Sequence, residues 1–146
     1  MKIRLVWVGK TKERFILEGL HKYLKLLRPY ADLDIIEVRE EKVKDIGRML
    51  SREGERIHGL GTSYVLLDEK GETLDSASFA RFVEKQGSSV TFLLGGAYGV
   101  AEEVKARARK TIALSAMTFT HEMSRLIFLE QLYRAFTILQ KKGYHH

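Results

Sequence analysis

The sequence contains no cysteine and only one proline among its 146 residues. Without cysteine, the protein has no disulfide, no thiolate metal ligand and no cysteine nucleophile. Long apolar runs are also missing, because Lys2, Arg4, Lys10 and Lys12 interrupt the first apolar stretch and no segment approaches the roughly 20 residues of a membrane span. We therefore expect no membrane segment and no signal peptide, and the expected location is cytoplasmic.

What the sequence does contain is apolar content and positive charge. Hydrophobic residues make up 45% of the chain, which favours a folded globule over a disordered chain. This length suits one domain, and we predict that residues 1–146 form it. The chain has 25 Lys and Arg against 19 Asp and Glu, and the resulting net charge of +6 favours a polyanionic partner such as nucleic acid.

Strand-forming and helix-forming segments alternate along the chain. The patterns predict strands at 3–8, 33–38, 63–68, 90–94 and 111–114, and helices at 13–27, 42–57, 76–86, 100–109 and 121–140. Ser76 is the predicted cap of the third helix, and residues 69–72 are the predicted turn after the third strand. Such alternation predicts an α/β fold with a parallel sheet, right-handed crossovers and helices on both faces.

The last predicted helix carries apolar residues on more than one face. Leu126, Leu129, Tyr133 and Phe136 belong to a set that is wider than the single stripe of a surface helix. Burial on two sides favours a second subunit, and the simplest closed arrangement is a homodimer with twofold symmetry. A central core helix in a monomer is the alternative.

Two loops rich in small residues follow the fourth and fifth strands. Gly95, Gly96 and Gly99 permit positive φ and a close approach of the backbone to a ligand, and residues 115–118 leave backbone groups accessible. In an open parallel sheet, ligands bind beyond the carboxyl ends of the strands, where both loops lie. The chain has neither a GxGxxG nor a P-loop pattern, so a phosphate cradle is not expected.

The chain resembles the RlmH family of ribosomal large-subunit methyltransferases, which modify N3 of a pseudouridine in 23S rRNA. The resemblance rests on Leu67-Asp68, Gly95-Gly96 with Gly99, Leu114-Ser-Ala-Met-Thr118 with His121, Leu129-Glu-Gln-Leu-Tyr-Arg-Ala135 and the final Tyr144-His145. It implies a SPOUT-type parallel sheet with helices on both faces and a C-terminal deep trefoil knot. It also implies S-adenosyl-L-methionine as cofactor, an obligate homodimer, and 23S rRNA within the ribosome or large subunit as substrate.

The same resemblance implies the positions of the cofactor and of the chain end. The cofactor is expected at Leu67, Gly95, Gly96, Leu114, Ser115, Ala116, Met117, Thr118 and Phe119. The chain end is expected to close over the site, with Tyr144 stacked on the target base and His145 near the imide proton. The family usually has a proline before this Tyr-His pair, where this chain has Gly143.

The target chemistry agrees with the absence of cysteine. Methylation at pyrimidine C5 commonly needs a cysteine adduct, whereas an imide nitrogen needs only to lose its proton. His121, Tyr144 and His145 are candidates for the base, and Arg125 and Arg134 are candidates for stabilising the anion or binding phosphate. The alternative for His121 is a helix-terminal residue that satisfies a backbone group.

Two other functional classes fit parts of the sequence. The first is a non-enzymatic RNA-binding or ribosome-associated module, in which the basic surface is the function. The second is a nucleotide-binding α/β enzyme without a knot, which the missing phosphate motifs disfavour. Binding of S-adenosyl-L-methionine without added metal distinguishes the enzyme from the module.

Overall fold

In the computed structural model, which describes residues 1–146, strands and helices alternate as the sequence predicts. The elements are β1 (Lys2–Val8), α1 (Arg14–Leu27), β2 (Asp32–Val38), α2 (Ile46–Gly59), β3 (Val65–Thr73), α3 (Ser76–Glu84), β4 (Ser89–Leu94), α4 (Glu102–Arg107), β5 (Lys110–Ala113) and α5 (His121–Leu139). None of the helices combines the length and apolarity needed to cross a membrane.

The five strands form one parallel sheet in the order β2-β1-β4-β3-β5. Side chains of β1 alternate between two cores, because successive residues of a strand point to opposite faces. Leu5 and Trp7 lie in the larger core with α1, α3 and α5, and Val6 and Val8 lie in the smaller core with α2 and α4. The predicted parallel sheet with helices on both faces is confirmed.

Two helix starts differ from the sequence prediction. The third helix is capped by Asp75 rather than Ser76, because the Asp75 carboxylate accepts a hydrogen bond from the Ser78 N–H at 2.7 Å. The Ser76 hydroxyl instead donates to Gln131 on α5 at 2.8 Å. The second helix begins at Ile46 rather than residue 42, because Asp45 caps it through the Arg48 N–H.

The predicted turn at residues 69–72 is wrong. β3 continues to Thr73, with a shift in its pairing to β5 such that Leu67 and Glu72 are both opposite Ile112. Gly71 lies in this irregular stretch, and a Cβ placed there would be 2.8 Å from backbone atoms of β5. A glycine is required because no side chain fits between the two backbones.

The apolar faces of α5 are covered largely within the subunit. The helix packs against α1, α3 and the sheet, and its buried apolar residues are Phe128, Leu129, Leu132, Ala135 and Phe136. Leu126 and Tyr133 are half-buried against the same core, and α1 approaches Leu126 at Gly19. The apolar faces of α5 therefore do not by themselves require a second subunit, and the homodimer stays a prediction.

Candidate functional site

A cavity of about 600 Å³ lies at the carboxyl ends of β3, β4 and β5. We call it the carboxyl-edge cavity. Most of its lining comes from three segments, namely residues 67–70 within β3, residues 94–99 at and after the end of β4, and residues 114–121, except Ala116, between β5 and the start of α5. This is the edge at which ligands of open parallel sheets bind. The two small-residue loops that the sequence singled out therefore meet in one place.

The glycine loop is shaped by crowding between its own ends. A Cβ on Gly95 would lie 2.9 Å from the backbone carbon of Gly99, which is closer than side chains tolerate. The Gly99 N–H donates to the Gly96 carbonyl at 3.0 Å, and Gly99 has a φ of +76°. Of these three glycines, which all permit positive φ, only Gly99 adopts it. At Gly96 a Cβ would meet Val8 at an ordinary 3.5 Å.

The second loop is held by its own hydroxyl groups. The Ser115 Oγ accepts a hydrogen bond from the Met117 N–H at 3.0 Å. The Thr118 hydroxyl donates to the carboxylate of Glu69, a residue of β3. The Met117 side chain is 75% exposed, and Tyr98 on the glycine loop is 62% exposed. Two large apolar side chains thus border the cavity with most of their surface accessible.

The structure brings most of the predicted cofactor residues together. The lining includes Leu67, Gly95, Gly96, Leu114, Ser115, Met117, Thr118 and Phe119, together with His121. Ala116 belongs to the same loop but does not line the cavity. Arg125, Tyr144 and His145 are not among the lining residues either.

Several lining residues were absent from the predicted set. These are Asp68, Glu69, Lys70, Ala97, Tyr98, Lys105, Thr120 and Ser124, with Leu94 and Gly99 at the glycine loop. The rule that ligands lie beyond strand ends, which already pointed to the end of the predicted strand at Leu67-Asp68, could have been extended to Glu69. Lys105 and Ser124 reach the cavity from helices, and no local sequence pattern indicates that.

His121 is the first residue of α5 and is half-buried at the cavity wall. Burial, and next the positive charge of Arg125, lower its pKa, while Glu122 and Glu40 act in the opposite direction. The imidazole is therefore held in its neutral form, which has a nitrogen free to accept a proton.

Arg125 lies one turn further along α5 and is 0% exposed. Its Nη1 donates to the Thr11 Oγ1 at 2.8 Å, its Nη2 donates to the Val8 carbonyl at 2.7 Å, and its guanidinium lies 4.9 Å from the Trp7 ring centroid. These contacts occupy the side chain beneath the β1–α1 loop. The structure does not place this guanidinium where it would contact a substrate.

Glu122 connects the same helix to the same loop. Its Oε1 accepts hydrogen bonds from the backbone N–H groups of Lys12 at 3.0 Å and Glu13 at 2.9 Å. The side chain of Glu13, the N-cap residue of α1, makes no capping bond, so Glu122 satisfies these donors from across the fold. Arg125 and Glu122 together fix the start of α5, and with it His121.

The end of the chain, residues 140–146, is called the tail below. The Tyr144 hydroxyl donates to the Glu130 Oε1 at 3.2 Å and lies 3.4 Å from the Tyr23 hydroxyl. Arg134 donates twice to the same Glu130 oxygen, lies over the Tyr144 ring and meets the His145 Nδ1 at 3.0 Å. Burial and the bond to Tyr23 raise the pKa of Tyr144, which keeps its phenol protonated. The tail residues are therefore docked on α5, away from the cavity.

The length of α5 keeps the tail away from the cavity of its own chain. Leu139 ends the helix 18 residues after His121, which corresponds to about 27 Å along its axis. Five further residues reach Tyr144, and even a fully extended backbone spans only about 18 Å over that length. In the structure the Tyr144 hydroxyl is bound at Glu130, nine residues or about 14 Å along α5 from His121.

Comparison with known proteins supports one family. The family model described as "Predicted SPOUT methyltransferase" matches residues 1–145. Curated relatives named "Ribosomal RNA large subunit methyltransferase H" include those of Trichlorobacter lovleyi, 46% identical, and Geotalea daltonii, 43% identical, each aligned over 100% of this chain and of the relative. That of Geobacter metallireducens is 45% identical over 100% of this chain and 99% of the relative.

Solved structures share the fold at low sequence identity. A structure titled a probable methylase family protein, from Haemophilus influenzae, has a TM-score of 0.59 and 10% identity, with 99% of this chain and 70% of that chain covered. TrmJ from Z. mobilis has a TM-score of 0.58 and 11% identity, with 92% and 70% covered. At such identities these structures bear on the fold alone.

Substitution Gly95→Ala tests the location of the cofactor that the sequence resemblance implies. The added methyl would lie 2.9 Å from the Gly99 backbone and force the glycine loop to move. A shift of this kind costs about 1–3 kcal/mol, so we expect the Kd for S-adenosyl-L-methionine, measured by calorimetry, to rise roughly 5- to 150-fold. Gly59→Ala is the matched control, because nothing lies within 4 Å of its Cβ position. Equal affinity in both variants would place the cofactor elsewhere.

Proposed function

Since this chain belongs to the SPOUT methyltransferase family, we propose that it transfers a methyl group from S-adenosyl-L-methionine to N3 of a pseudouridine in 23S rRNA. The name of the full-length relatives supports a ribosomal RNA substrate. The resemblance of the C-terminal half to the RlmH family supports pseudouridine as the target nucleoside. The observation that carries the proposal is that the two small-residue loops and His121 line one cavity.

The residues of the cavity fit a cofactor of this kind. The backbone segments 94–96 and 114–119 and the side chain of Leu67 would hold it, because small residues leave backbone donors and acceptors within reach. The carboxylates of Asp68 and Glu69 are lining groups of the sign that suits a sulfonium cation. When bound, the cofactor supplies an electrophilic methyl group.

His121 is the base that this geometry supports best. The imide N3 of pseudouridine becomes nucleophilic once it has lost its proton. A neutral imidazole at the cavity wall accepts that proton, and the lowered pKa of His121 keeps it neutral near pH 7. Arg125 acts as a positioning residue, because it lies beneath His121 without reaching the cavity.

We also propose the knot and the dimer that the resemblance implies. Membership of the SPOUT family supports a threaded C-terminal segment. Phe15 on α1 is 58% exposed, and the exposed Tyr98 and Met117 border the cavity. Large exposed apolar side chains of this kind favour a partner surface, here a second copy of the chain.

The reach of the tail supports a site completed by the second subunit. Tyr144 is docked at Glu130 in its own subunit and does not line the cavity there, so we infer that a catalytic tail comes from the partner. Glu130 and Tyr23 hold Tyr144 in the free subunit, and substrate RNA would release it. His145, paired with Arg134, would move with it.

The direct test of this proposal uses labelled cofactor and two substrates. Ribosomes containing pseudouridine should accept labelled methyl from S-adenosyl-L-methionine, and ribosomes from cells that lack the pseudouridine synthase should accept none. Mapping the label by nuclease digestion and mass spectrometry identifies the nucleoside. Protein that binds RNA but transfers no methyl to either substrate would support the non-enzymatic module instead. Naked 23S rRNA and isolated large subunits, run in parallel, define the substrate form.

The pH dependence of methyl transfer tests the role of His121. Since the folded protein lowers the pKa of His121 below 6.5, the base form is populated above that lowered value. The single-turnover rate at saturating cofactor should therefore fall only at pH values below 6.5, where the imidazole becomes protonated. His121→Gln should lose this acid limb and reduce the rate by roughly 10²- to 10⁴-fold. A variant with unchanged rate and profile would exclude His121 as the base.

Mixed dimers test which subunit supplies the tail. One subunit carries Gly95→Ala and the other ends at Lys142, so each homodimer lacks either a competent cofactor loop or a tail. Co-expression with two affinity tags isolates the mixed dimer, which has one complete site if tails act across the interface. We expect about half of the wild-type activity per mixed dimer. Activity no higher than that of the two homodimers would assign each tail to its own chain.

A further inference from the structure

A second cavity, of about 410 Å³, lies at the opposite edge of the sheet. It lies at the amino ends of β3 and β4 and is called the amino-edge cleft here. β4 runs between the two sites, from Ser89 at the cleft to Leu94 at the carboxyl-edge cavity. Five residue steps along a strand correspond to about 17 Å, so the cleft is separate from the methyl-transfer site.

The cleft is lined almost entirely by hydrogen-bond donors. Val90 is its only hydrophobic residue, and no carboxylate lines it. Its polar side chains include Thr62, Ser63, Lys85, Ser89, Thr91 and Arg109. Two cations and four hydroxyl groups without an acidic partner favour an anionic ligand.

The two cations of the cleft are not neutralised within the protein. Neither Lys85 nor Arg109 takes part in an ion pair, whereas Arg4, Arg56 and Arg134 each pair with a carboxylate. The only side-chain partner of Arg109 is the neutral amide oxygen of Gln86, which accepts from its Nη2. Arginine has five N–H donors, so most of those on Arg109 stay available.

The backbone and hydroxyl groups of the cleft are already ordered. The Arg109 N–H donates to the Tyr64 carbonyl at 3.1 Å, which fixes the root of the arginine beside β3. The Thr62 and Thr91 hydroxyl oxygens are 3.2 Å apart and form a hydrogen bond between the segment before β3 and β4. An incoming anion would therefore meet donors that need little rearrangement.

We propose that the amino-edge cleft binds a backbone phosphate of the RNA substrate, an inference that rests on the proposed function for the identity of that RNA. A phosphodiester accepts hydrogen bonds from cations and hydroxyls alike, as phosphate contacts in nucleic-acid complexes do. The cleft has no aromatic side chain and one apolar residue, so it offers no wall on which a base would stack. It therefore recognises the phosphate and carries no sequence preference.

A phosphate contact at this edge would orient the RNA without taking part in chemistry. The target base would lie at the carboxyl edge while the backbone is held at the amino edge of the same sheet. Contacts of this kind fix the position of the RNA on the protein and contribute an affinity for RNA that falls as salt concentration rises. The cleft should therefore affect substrate binding and KM but not the rate of the chemical step.

The test compares two double variants with the same loss of charge. The cleft variant, Lys85→Gln with Arg109→Gln, removes both cations of the cleft. The control variant, Lys44→Gln with Arg52→Gln, removes two exposed cations, one just before α2 and one on it. Neither control residue forms an ion pair or lines the cleft. Binding to the ribosomal substrate is measured over a range of salt concentrations, together with single-turnover methyl transfer. The cleft variant should lower the salt slope of log K by about 0.7–0.9 per lost phosphate contact and raise KM, with cofactor affinity and the saturated rate unchanged.

Each outcome decides the proposal. Equal salt slopes and equal KM values in the two double variants would overturn the proposal. Binding of inorganic phosphate is monitored by NMR as a second measurement. A cleft variant that loses phosphate binding but keeps the wild-type salt slope for RNA would also overturn the proposal. The result is independent of the proposed chemistry, because RNA binding is measured directly. A wild-type protein that binds RNA through the cleft but transfers no methyl group would refute the proposed function and leave this inference standing.

Discussion

The buried guanidinium of Arg125 is the contact on which the rest of the site depends. It joins α5 to the end of β1 and to the β1–α1 loop through the Val8 carbonyl, the Thr11 hydroxyl and the Trp7 ring. Removing one partner of a buried, hydrogen-bonded charge typically costs about 3–5 kcal/mol, a large part of the stability of a domain. The cation lies one turn after His121, and its charge favours the neutral form of that imidazole.

The two edges of the parallel sheet differ in chemistry as well as in position. The carboxyl edge combines glycine-rich backbone with side chains of both charges, namely Asp68, Glu69, Lys70 and Lys105. The amino edge has Lys85 and Arg109 without any acidic group, which suits a polyanion. A single strand, β4, connects the two edges, so a rigid spacing of about 17 Å separates them.

Within one subunit, α5 separates the tail from the carboxyl-edge cavity, and neither Tyr144 nor His145 lines that cavity. The helix begins at the cavity and carries the chain about 27 Å away from it, and the tail then docks on Glu130 in the second half of the helix. In that position the Tyr144 phenol and the His145 imidazole have partners of their own but no reactive site. The docked position of the tail thus supports the homodimer that we propose, independently of how apolar α5 is.

Local pattern alone determined much of this protein. The alternation of strands and helices, the two small-residue loops and the position of His121 at the start of α5 depend on neighbours in sequence, so the sequence predicted them correctly. Tertiary structure decided the rest, because the deciding contacts join residues far apart in the chain. Arg125 meets Val8 across 117 positions and is buried outside the cavity lining. Gly71 lies in a strand because its segment pairs with β5, which leaves no space for a side chain. The amino-edge cleft likewise exists only because folding brings Lys85 and Arg109 to one cleft that no carboxylate lines.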